Sequence, residues 1–260
     1  MDKDFLWPHL QELPYFRALL RSIEATFYQG LDLPAPVLDM GCGDGHFAAV
    51  TFEQRIDIGV DPDLNSLREA QQRGAYQSLI QSDGAILPLP DGSIASAFSN
   101  SVLEHIPHLD GVLMEMGRVM RSGAPLVFTV PNPGYKTELS FPRWLRRMRL
   151  PRLAARYTEW FMHMSRTWNM FYEEGWGERL RAAGFEIVTT FRYFPPRALS
   201  VLEWGHYFGA PTLLPRKITG RWILAPARWN LMLTERIVRR YYEAPRAEDG
   251  TYSFYLARKK

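Results

Sequence analysis

The chain has 260 residues, 46% of them hydrophobic, a formal net charge of +3 and a single cysteine, Cys42. That length allows one α/β domain with additions. One cysteine excludes an intrachain disulfide and a cysteine metal cluster, and it points to a reducing, cytoplasmic setting; no run reaches the roughly 18 apolar residues of a membrane span, and the mixed, acidic opening "MDKDFLWPHLQELPYF" has no apolar signal core.

Residues 14–29, "PYFRALLRSIEATFYQ", repeat apolar side chains at three- and four-residue spacing and predict an amphipathic helix, the core of an N-terminal lid region over 1–34. From 35 to 260 the pattern is that of one larger domain. "APVLDM" predicts a short buried strand, followed by a glycine turn and a helix from about His46 to Arg55. "IDIGVD" is a second strand, and "PDLNSLREAQQRG" a helix closed by Gly74. "YQSLIQSD" is a third strand, "LPLPDGS" a turn and "IASAFSN" a fourth strand. "HLDGVLMEMGRVMRSG" is a helix ending at glycine, and "APLVFTVPN" a fifth strand. Strands alternating with helices of this length imply a mostly parallel sheet with helices on both faces.

After Asn132 the rhythm changes. A basic, aromatic, helical stretch forms an insertion over about 134–180, and within it Phe141 to Trp160 holds six arginines against one glutamate, a local +5. "GFEIVTTFRYF" is a sixth strand. A second helical insertion spans 195–245 and carries another local +5, which leaves −7 for the rest of the chain. "GTYSFYLARK" is a seventh strand, expected antiparallel to the sixth. The two insertions are expected to form a helical cap.

The turn "VLDMGCGDGHF" carries the chemistry. Gly41, Gly43 and Gly45 alternate, with Asp39 before them and Asp44 among them. A dinucleotide-binding turn places pyrophosphate at a helix N-terminus, and two carboxylates there would repel it. A zwitterionic or cationic ligand suits the turn better. S-adenosylmethionine has an ammonium, a sulfonium and no phosphate. Asp61 ends the second strand and can accept both hydroxyls of a ribose. Asp83 ends the third and can accept from an adenine amino group. Both lie at strand C-terminal ends, where ligands bind in open α/β sheets.

Together "VLDMGCGDGHF", "IGVDPD", "QSDGAILPLPDGSIASAFSNSVLEHI", "EMGRVMRSGAPLVFTVPN" and "GWGERLRAAGFEI" resemble the class I S-adenosylmethionine-dependent methyltransferases. The resemblance covers Val37 to Ile187 and is to the small-molecule, type 11 branch that includes quinone-pathway C-methyltransferases. It implies a Rossmann-like fold, S-adenosylmethionine as cofactor and S-adenosylhomocysteine as product. It also implies that Asp39, Gly41 and Gly43 shape the methionine pocket, with Met40, Cys42 and Asp44 in the same turn. Asp61 would hold the ribose and Pro62 pack on the adenine; Asp83 and Gly84 would recognise the adenine edge. Asn100 and Ser101 would pass near the methionine moiety.

His105 in "VLEHIP" is the candidate catalytic base, its alternative being a structural hydrogen bond at a helix start. His163, His206 and Tyr15 are further candidates, and His9 reads as a lid or surface residue. No histidine pair has metal-ligand spacing, so no metal is expected. Cys42 reads as inert packing. "NPGY", Asn132 to Tyr135, is similar to the Asn-Pro-Pro-Tyr motif of amino-group methyltransferases, but it follows the fifth strand instead of the fourth and is set aside. Tyr15, Phe16, Tyr135, Trp160, Trp168 and Phe171 are expected to line an apolar acceptor pocket. "FPRWLRRMRLPRLAAR" and "RKITGRWILAPARWNLMLTERIVRRYY" interleave arginine with Trp, Leu and Met. They read either as a helical cap with solvated arginines or as a contact with an anionic membrane surface. Nucleic acid is less well supported as a partner, because lysine is scarce and prolines break the stretch. The expected activity is methyl transfer to a small hydrophobic or aromatic acceptor, at a membrane surface in the second reading. The rivals are a non-catalytic S-adenosylmethionine-binding protein and an RNA methyltransferase.

Overall fold

A computed structural model describes residues 3–244 and 246–260. Met1 and Asp2, which open the expected lid region, and Pro245, which closes the second basic stretch, lie outside the described residues. In chain order the elements are α1 (Leu6–Glu12), α2 (Tyr15–Phe27), β1 (Val37–Met40), α3 (His46–Thr51), β2 (Ile56–Asp61), α4 (Leu64–Arg73), β3 (Tyr76–Gln81), β4 (Ser96–Asn100), α5 (Leu109–Val119) and β5 (Pro125–Pro131). Then follow α6 (Gly134–Thr137), α7 (Ser140–Arg147), α8 (Pro151–Ser165), α9 (Glu173–Ala182), β6 (Phe185–Tyr193), α10 (Pro196–Phe208), α11 (Leu213–Thr219), α12 (Arg228–Tyr242) and β7 (Tyr252–Lys259). They fall into two compact units, one of Leu31–Pro133, Trp160–Phe191 and Tyr252–Lys260, the other of Met1–Gly30, Gly134–Glu159 and Arg192–Thr251.

The first unit holds a seven-stranded sheet of order β3-β2-β1-β4-β5-β7-β6. β1 runs parallel to β2 and β4, β2 to β3, and β4 to β5. β7 is antiparallel to β5 and also neighbours β6. Every residue of β1 is buried, as expected for a central strand covered on both faces. The order reverses between β1 and β4, and in open α/β sheets ligands bind outside the C-terminal strand ends at such a switch point. The core is aromatic at one point: Phe128 stacks on Tyr255 with centroids 4.8 Å apart and lies 5.0 Å from Trp176. Each such ring taken from water contributes about 1.5–3 kcal/mol.

Two predicted helices are shorter than their patterns. The one expected to reach Arg55 stops at Thr51, because Phe52 turns extended and sets its ring 5.1 Å from Phe98. The one expected to reach Gly123 stops at Val119, because the following backbone pairs with Ile94. Ile94 N donates to Val119 O and Arg121 N to Ile94 O, each at 2.9 Å. Bridging to a neighbouring chain segment replaces the last helical turn.

The second unit is helical. α1, missed in the sequence, buries Leu6, His9 and Leu10 at i, i+3 and i+4. His9 is therefore a buried residue, not a surface one: one helical face carries it inward with its apolar neighbours. α1, α2 and α12 pack on one another, and α10 packs on α2 and α7. Phe5 N donates to Tyr242 Oη at 3.1 Å, and Arg239 pairs with Asp4 at 2.9 Å. α2 and α10 meet at Gly205, where a Cβ would fall 2.3 Å from the Cβ of Phe16. The fully buried carboxylate of Glu203 gathers α7, α8 and α10 by accepting from Ser140 N at 2.6 Å, Ser140 Oγ at 2.5 Å, Phe141 N at 3.2 Å and Tyr157 Oη at 3.0 Å.

Candidate functional site

The turn after β1 is pinned before α3 begins. Gly41 N and Cys42 N both donate to Val60 O, at 2.8 and 2.9 Å, and Gly45 N donates to Cys42 O at 3.0 Å. Gly41, Gly43 and Gly45 have φ of +86°, +52° and +73°, a region that strains other residues. Their surroundings separate their roles. A Cβ on Gly41 would lie 2.3 Å from Val102 Cγ1, and one on Gly45 would lie 3.1 Å from Ala70 and Tyr76. A Cβ on Gly43 would meet nothing within 4 Å. Two of these glycines allow protein to pack, and Gly43 leaves backbone open for a ligand to approach.

Asp39 is buried on β1, and Tyr76 Oη donates to its Oδ2 at 2.6 Å. Tyr76 lies on β3, two strands away. Gly59 on β2, in register with Asp39, makes the crossing possible: a Cβ there would come within 2.8 Å of the Tyr76 ring. Burial and the Asp39 carboxylate push the Tyr76 hydroxyl far above the usual phenol range, so it remains a donor. Gly59→Ala is expected to displace this ring and cost about 1–3 kcal/mol. Tyr76→Phe, which keeps the ring, should cost less than Gly59→Ala in the same chemical denaturation series. An unchanged midpoint for Gly59→Ala would remove the crossing ring from the account.

Asp61 closes the turn from the other side. Its Oδ2 accepts from Gly43 N and its Oδ1 from Asp63 N, both at 2.9 Å. Loss of water raises its pKa above the usual carboxylate range, outweighing those two bonds. Each oxygen can accept a further hydrogen bond. Asp44 turns toward the helices: its Oδ1 accepts from His46 N at 3.1 Å and its Oδ2 lies 3.8 Å from Arg73. Asp83 is exposed at the tip of β3 and accepts from Ala85 N at 3.0 Å. Gly84, with φ +85°, sits against Met40, whose Sδ would be 2.8 Å from a Cβ there. Met40 is buried and its carbonyl accepts from Ser99 Oγ at 2.8 Å. Pro62 is exposed, with its carbonyl accepting from Gln81 Nε2 at 3.1 Å. The Cys42 thiol is buried, and burial followed by the charges of Asp39 and Asp61 pushes its pKa far up. It stays a thiol, unsuited to attack as a thiolate.

Asn100 ends β4 and Ser101 follows it, and both are buried. Thr129 Oγ1 donates to Asn100 Oδ1 at 3.0 Å and accepts from Ser101 N at 3.1 Å, so β5 holds both in place. Ser101 has φ +50°, a conformation that costs about 1–3 kcal/mol where non-glycine residues adopt it. Beyond it, residues 166–169 clamp the short turn Leu103–His105. Trp168 N and Asn169 N donate to Glu104 O, and Asn169 Nδ2 donates to the carbonyls of Leu103 and Ile106. His105 Nδ1 is 2.9 Å from Arg166 O, and a carbonyl can only accept, so Nδ1 carries the proton. In the neutral ring Nε2 is then a lone-pair acceptor; Glu104 Oε1 lies 3.8 Å from it.

The six aromatic residues expected to line a pocket are divided. Tyr15, Phe16 and Tyr135 belong to the helical unit, and Trp160, Trp168 and Phe171 to the sheet unit. Phe16 and Tyr135 are buried, and Phe16 lies 4.6 Å from the ring of His206. Burial raises the Tyr15 hydroxyl and lowers the His206 imidazole, whose Nδ1 donates to Leu202 O at 2.8 Å. Trp160 and Trp168 are half exposed, and Trp168 meets His163 edge to face at 5.9 Å. Phe171 packs 5.5 Å from Trp176, with the Arg179 guanidinium 3.9 Å from its ring centre. Asn132 of the "NPGY" stretch is buried and donates to Ser253 Oγ at 3.1 Å. Among the described residues, no group of His, Cys, Asp and Glu could hold a metal ion. A cleft of about 480 Å³ opens at the opposite, N-terminal end of the parallel strands, by Pro34, Ala95, Pro125 and Arg258; none of the acidic tips lines it.

Tyr76, Gly59, Thr129 and Asn169 were not anticipated. Only Gly59 left a signal, since a glycine inside a strand marks close approach by another group.

A family model described as a methyltransferase domain matches residues 10–190. The chain is 34% identical over 107 residues to a malonyl-[acyl-carrier protein] O-methyltransferase of Pseudescherichia vulneris, covering 41% of this chain and 43% of that protein. It thus spans less than half the length of that relative. A protein of the same name from Methylococcus capsulatus is 27% identical over 223 residues, covering 78% of this chain and 75% of its own. The crystal structure of an S-adenosylmethionine-dependent methyltransferase from Thermotoga maritima superposes with a TM-score of 0.57 at 17% identity, over 95% of this chain and 91% of that one; at that identity the likeness is one of fold. The chain belongs to the methyltransferase-domain family.

Proposed function

We propose that the tips of β1, β2 and β3 hold S-adenosylmethionine, and that the chain methylates a small hydrophobic or aromatic acceptor drawn from a membrane surface. The observation that carries this reading is the open face of Gly43, whose N–H is held by the Asp61 carboxylate. Backbone that a ligand can touch, beside fixed negative charge, fits a cationic nucleoside and repels a phosphate. When bound, this cofactor supplies a methyl group already activated on sulfur. The chain's part is then to align the acceptor, exclude water and accept a proton where the acceptor has one to lose. Asp61 would take the ribose hydroxyls, Asp83 the adenine amino group, and Asn100 and Ser101 would border the methionine end. His105 would take the proton; the bond from its Nδ1 to Arg166 O supports this reading by fixing the tautomer.

Turnover against a panel of phenols, amines, carboxylates and RNA tests the reading, with calorimetry for cofactor binding. With a phenol or amine acceptor, His105→Gln should lower kcat by about 10²–10⁴-fold and leave cofactor affinity unchanged. Activity confined to strongly polar acceptors would refute the hydrophobic pocket. Methylation of RNA with a steep salt dependence would replace the small-molecule reading altogether. Cofactor binding without turnover on any acceptor would leave a binding protein.

A further inference from the structure

α12 has two apolar stripes, and the fold uses one. Leu231 and Val238 are buried on the side that packs against α1 and α2. Trp229, Met232, Leu233, Arg236, Ile237 and Arg240 recur at i, i+3, i+4, i+7, i+8 and i+11 and are all exposed. A helix surface of that spacing is one continuous stripe. Trp229 is 77% exposed and Leu233 69%, so this stripe lies in water by most of its area. The preceding helix α11 goes further: it buries no residue, while Leu214 and Ile218, one turn apart, are 64% and 72% exposed. Large apolar residues scattered singly need no explanation; a contiguous set does.

The charge around the stripe states what covers it. Between Gly209 and Tyr242 the chain has seven basic residues and one acidic residue, Glu235, which pairs with Arg239. Lys217, Arg221, Arg228, Arg236 and Arg240 are exposed beside the apolar set. Two copies of such a face brought together would set arginine against arginine. An anionic lipid surface meets both halves, taking the aliphatic and indole groups among acyl chains and the arginines at the phosphates. Among the described residues no helix is long and apolar enough to cross a membrane, so the contact is one of lying on the surface.

We propose that α11 and the outer stripe of α12 form a monotopic docking surface for anionic bilayers. The inference rests on the reading of a membrane-derived acceptor, to which it supplies the surface. Trp229, Met232 and Leu233 insert with Leu214 and Ile218, and Arg236 and Arg240 lie at headgroup depth.

The test is flotation of the full chain with vesicles of phosphatidylglycerol and phosphatidylcholine, and with phosphatidylcholine alone. The protein should float with the mixed vesicles at low salt and remain behind with phosphatidylcholine, and Trp229 fluorescence should shift to the blue. Arg236→Ser should weaken partitioning by about fivefold, the equivalent of one interfacial basic residue. Trp229→Ser with Leu233→Ser should abolish flotation, with unchanged circular dichroism because Leu231 and Val238 are kept. Cofactor affinity should be the same in wild type and variants, which separates failure of docking from failure of the methyltransferase site. Absence of wild-type protein from the anionic vesicles at low salt would overturn the proposal. So would a stable dimer in light scattering that Trp229→Ser dissolves, since a second copy would then be the occupant.

Discussion

Asp61→Ala is expected to weaken S-adenosylmethionine binding by about 100-fold or more in calorimetry. The carboxylate would lose two ribose hydroxyls, each worth about 1.5–3 kcal/mol as a hydrogen bond to a charged group. Gly43 N and Asp63 N would lose their acceptor in the same step, so the turn would also lose its tether to β2. Asp61→Asn retains one acceptor oxygen and should fall between, at about tenfold. The pH dependence gives a second readout. Burial raises the pKa of Asp61 in the fold, so it takes a proton at a higher pH than an ordinary aspartate. Cofactor affinity should therefore decline as pH falls through that raised value, and the asparagine variant should show no such decline. Folding responds with the opposite sign. The ionised group is desolvated in the native state, so protonating it relieves a cost, and Asp61 adds nothing to acid unfolding. Affinity that falls with pH equally in Asp61→Asn would move the titrating group elsewhere.

The strands and the acidic tips could be read from the sequence because they rest on local signals. A buried strand is a short apolar run, and the three aspartates lie at or near the ends of such runs: Asp39 next to last in β1, Asp61 last in β2 and Asp83 two residues beyond β3. Helix ends were less legible. Nothing within 108–123 announces that Ile94, a residue from an earlier loop, will bridge to Met120 and take the last turn of α5. α1 escaped notice because its apolar face includes His9, which counts as polar in a pattern and is buried in the fold. The positioning of the site was hidden for the same reason. The Tyr76 hydroxyl reaches Asp39 across a strand, and Thr129 holds Asn100 from the neighbouring strand; such contacts are 37 and 29 residues apart in sequence. Short-range spacing reports which groups exist at a sheet edge, and only register shows what orients them.

Glu203→Leu is expected to destabilise the helical unit by about 3–5 kcal/mol, a cost at the upper end for a single substitution. The carboxylate is fully buried and accepts four hydrogen bonds, two from the backbone at the start of α7. α7 has no side-chain cap of its own on Leu139, so Glu203 supplies from α10 what a capping residue would supply locally. Leucine fills the volume but leaves Ser140 N, Phe141 N and Tyr157 Oη without that acceptor in a dry place. Glu203→Gln should cost less, since one oxygen remains, yet its amide hydrogens would face two backbone N–H groups. The network extends outward: Tyr207 Oη donates to Tyr157 Oη at 2.6 Å, and Trp204 Nε1 to Ser140 Oγ at 2.9 Å. Burial first, and then these hydroxyl and carboxylate neighbours, raise the Tyr157 hydroxyl far above an ordinary phenol. Spectroscopic titration of tyrosine gives a readout that simple loss of packing would not move. Removing Glu203 takes away a negative charge and an acceptor, so Tyr157 should ionise at lower pH in Glu203→Leu than in wild type. Urea denaturation should show the lost stability, and hydrogen exchange should place the earliest opening at the N-terminal turn of α7. Equal stability of Glu203→Leu and wild type would mean that the four donors find water instead, and that α7 is held by the stacking of Phe141 on Trp144 and its edge contact with Tyr157.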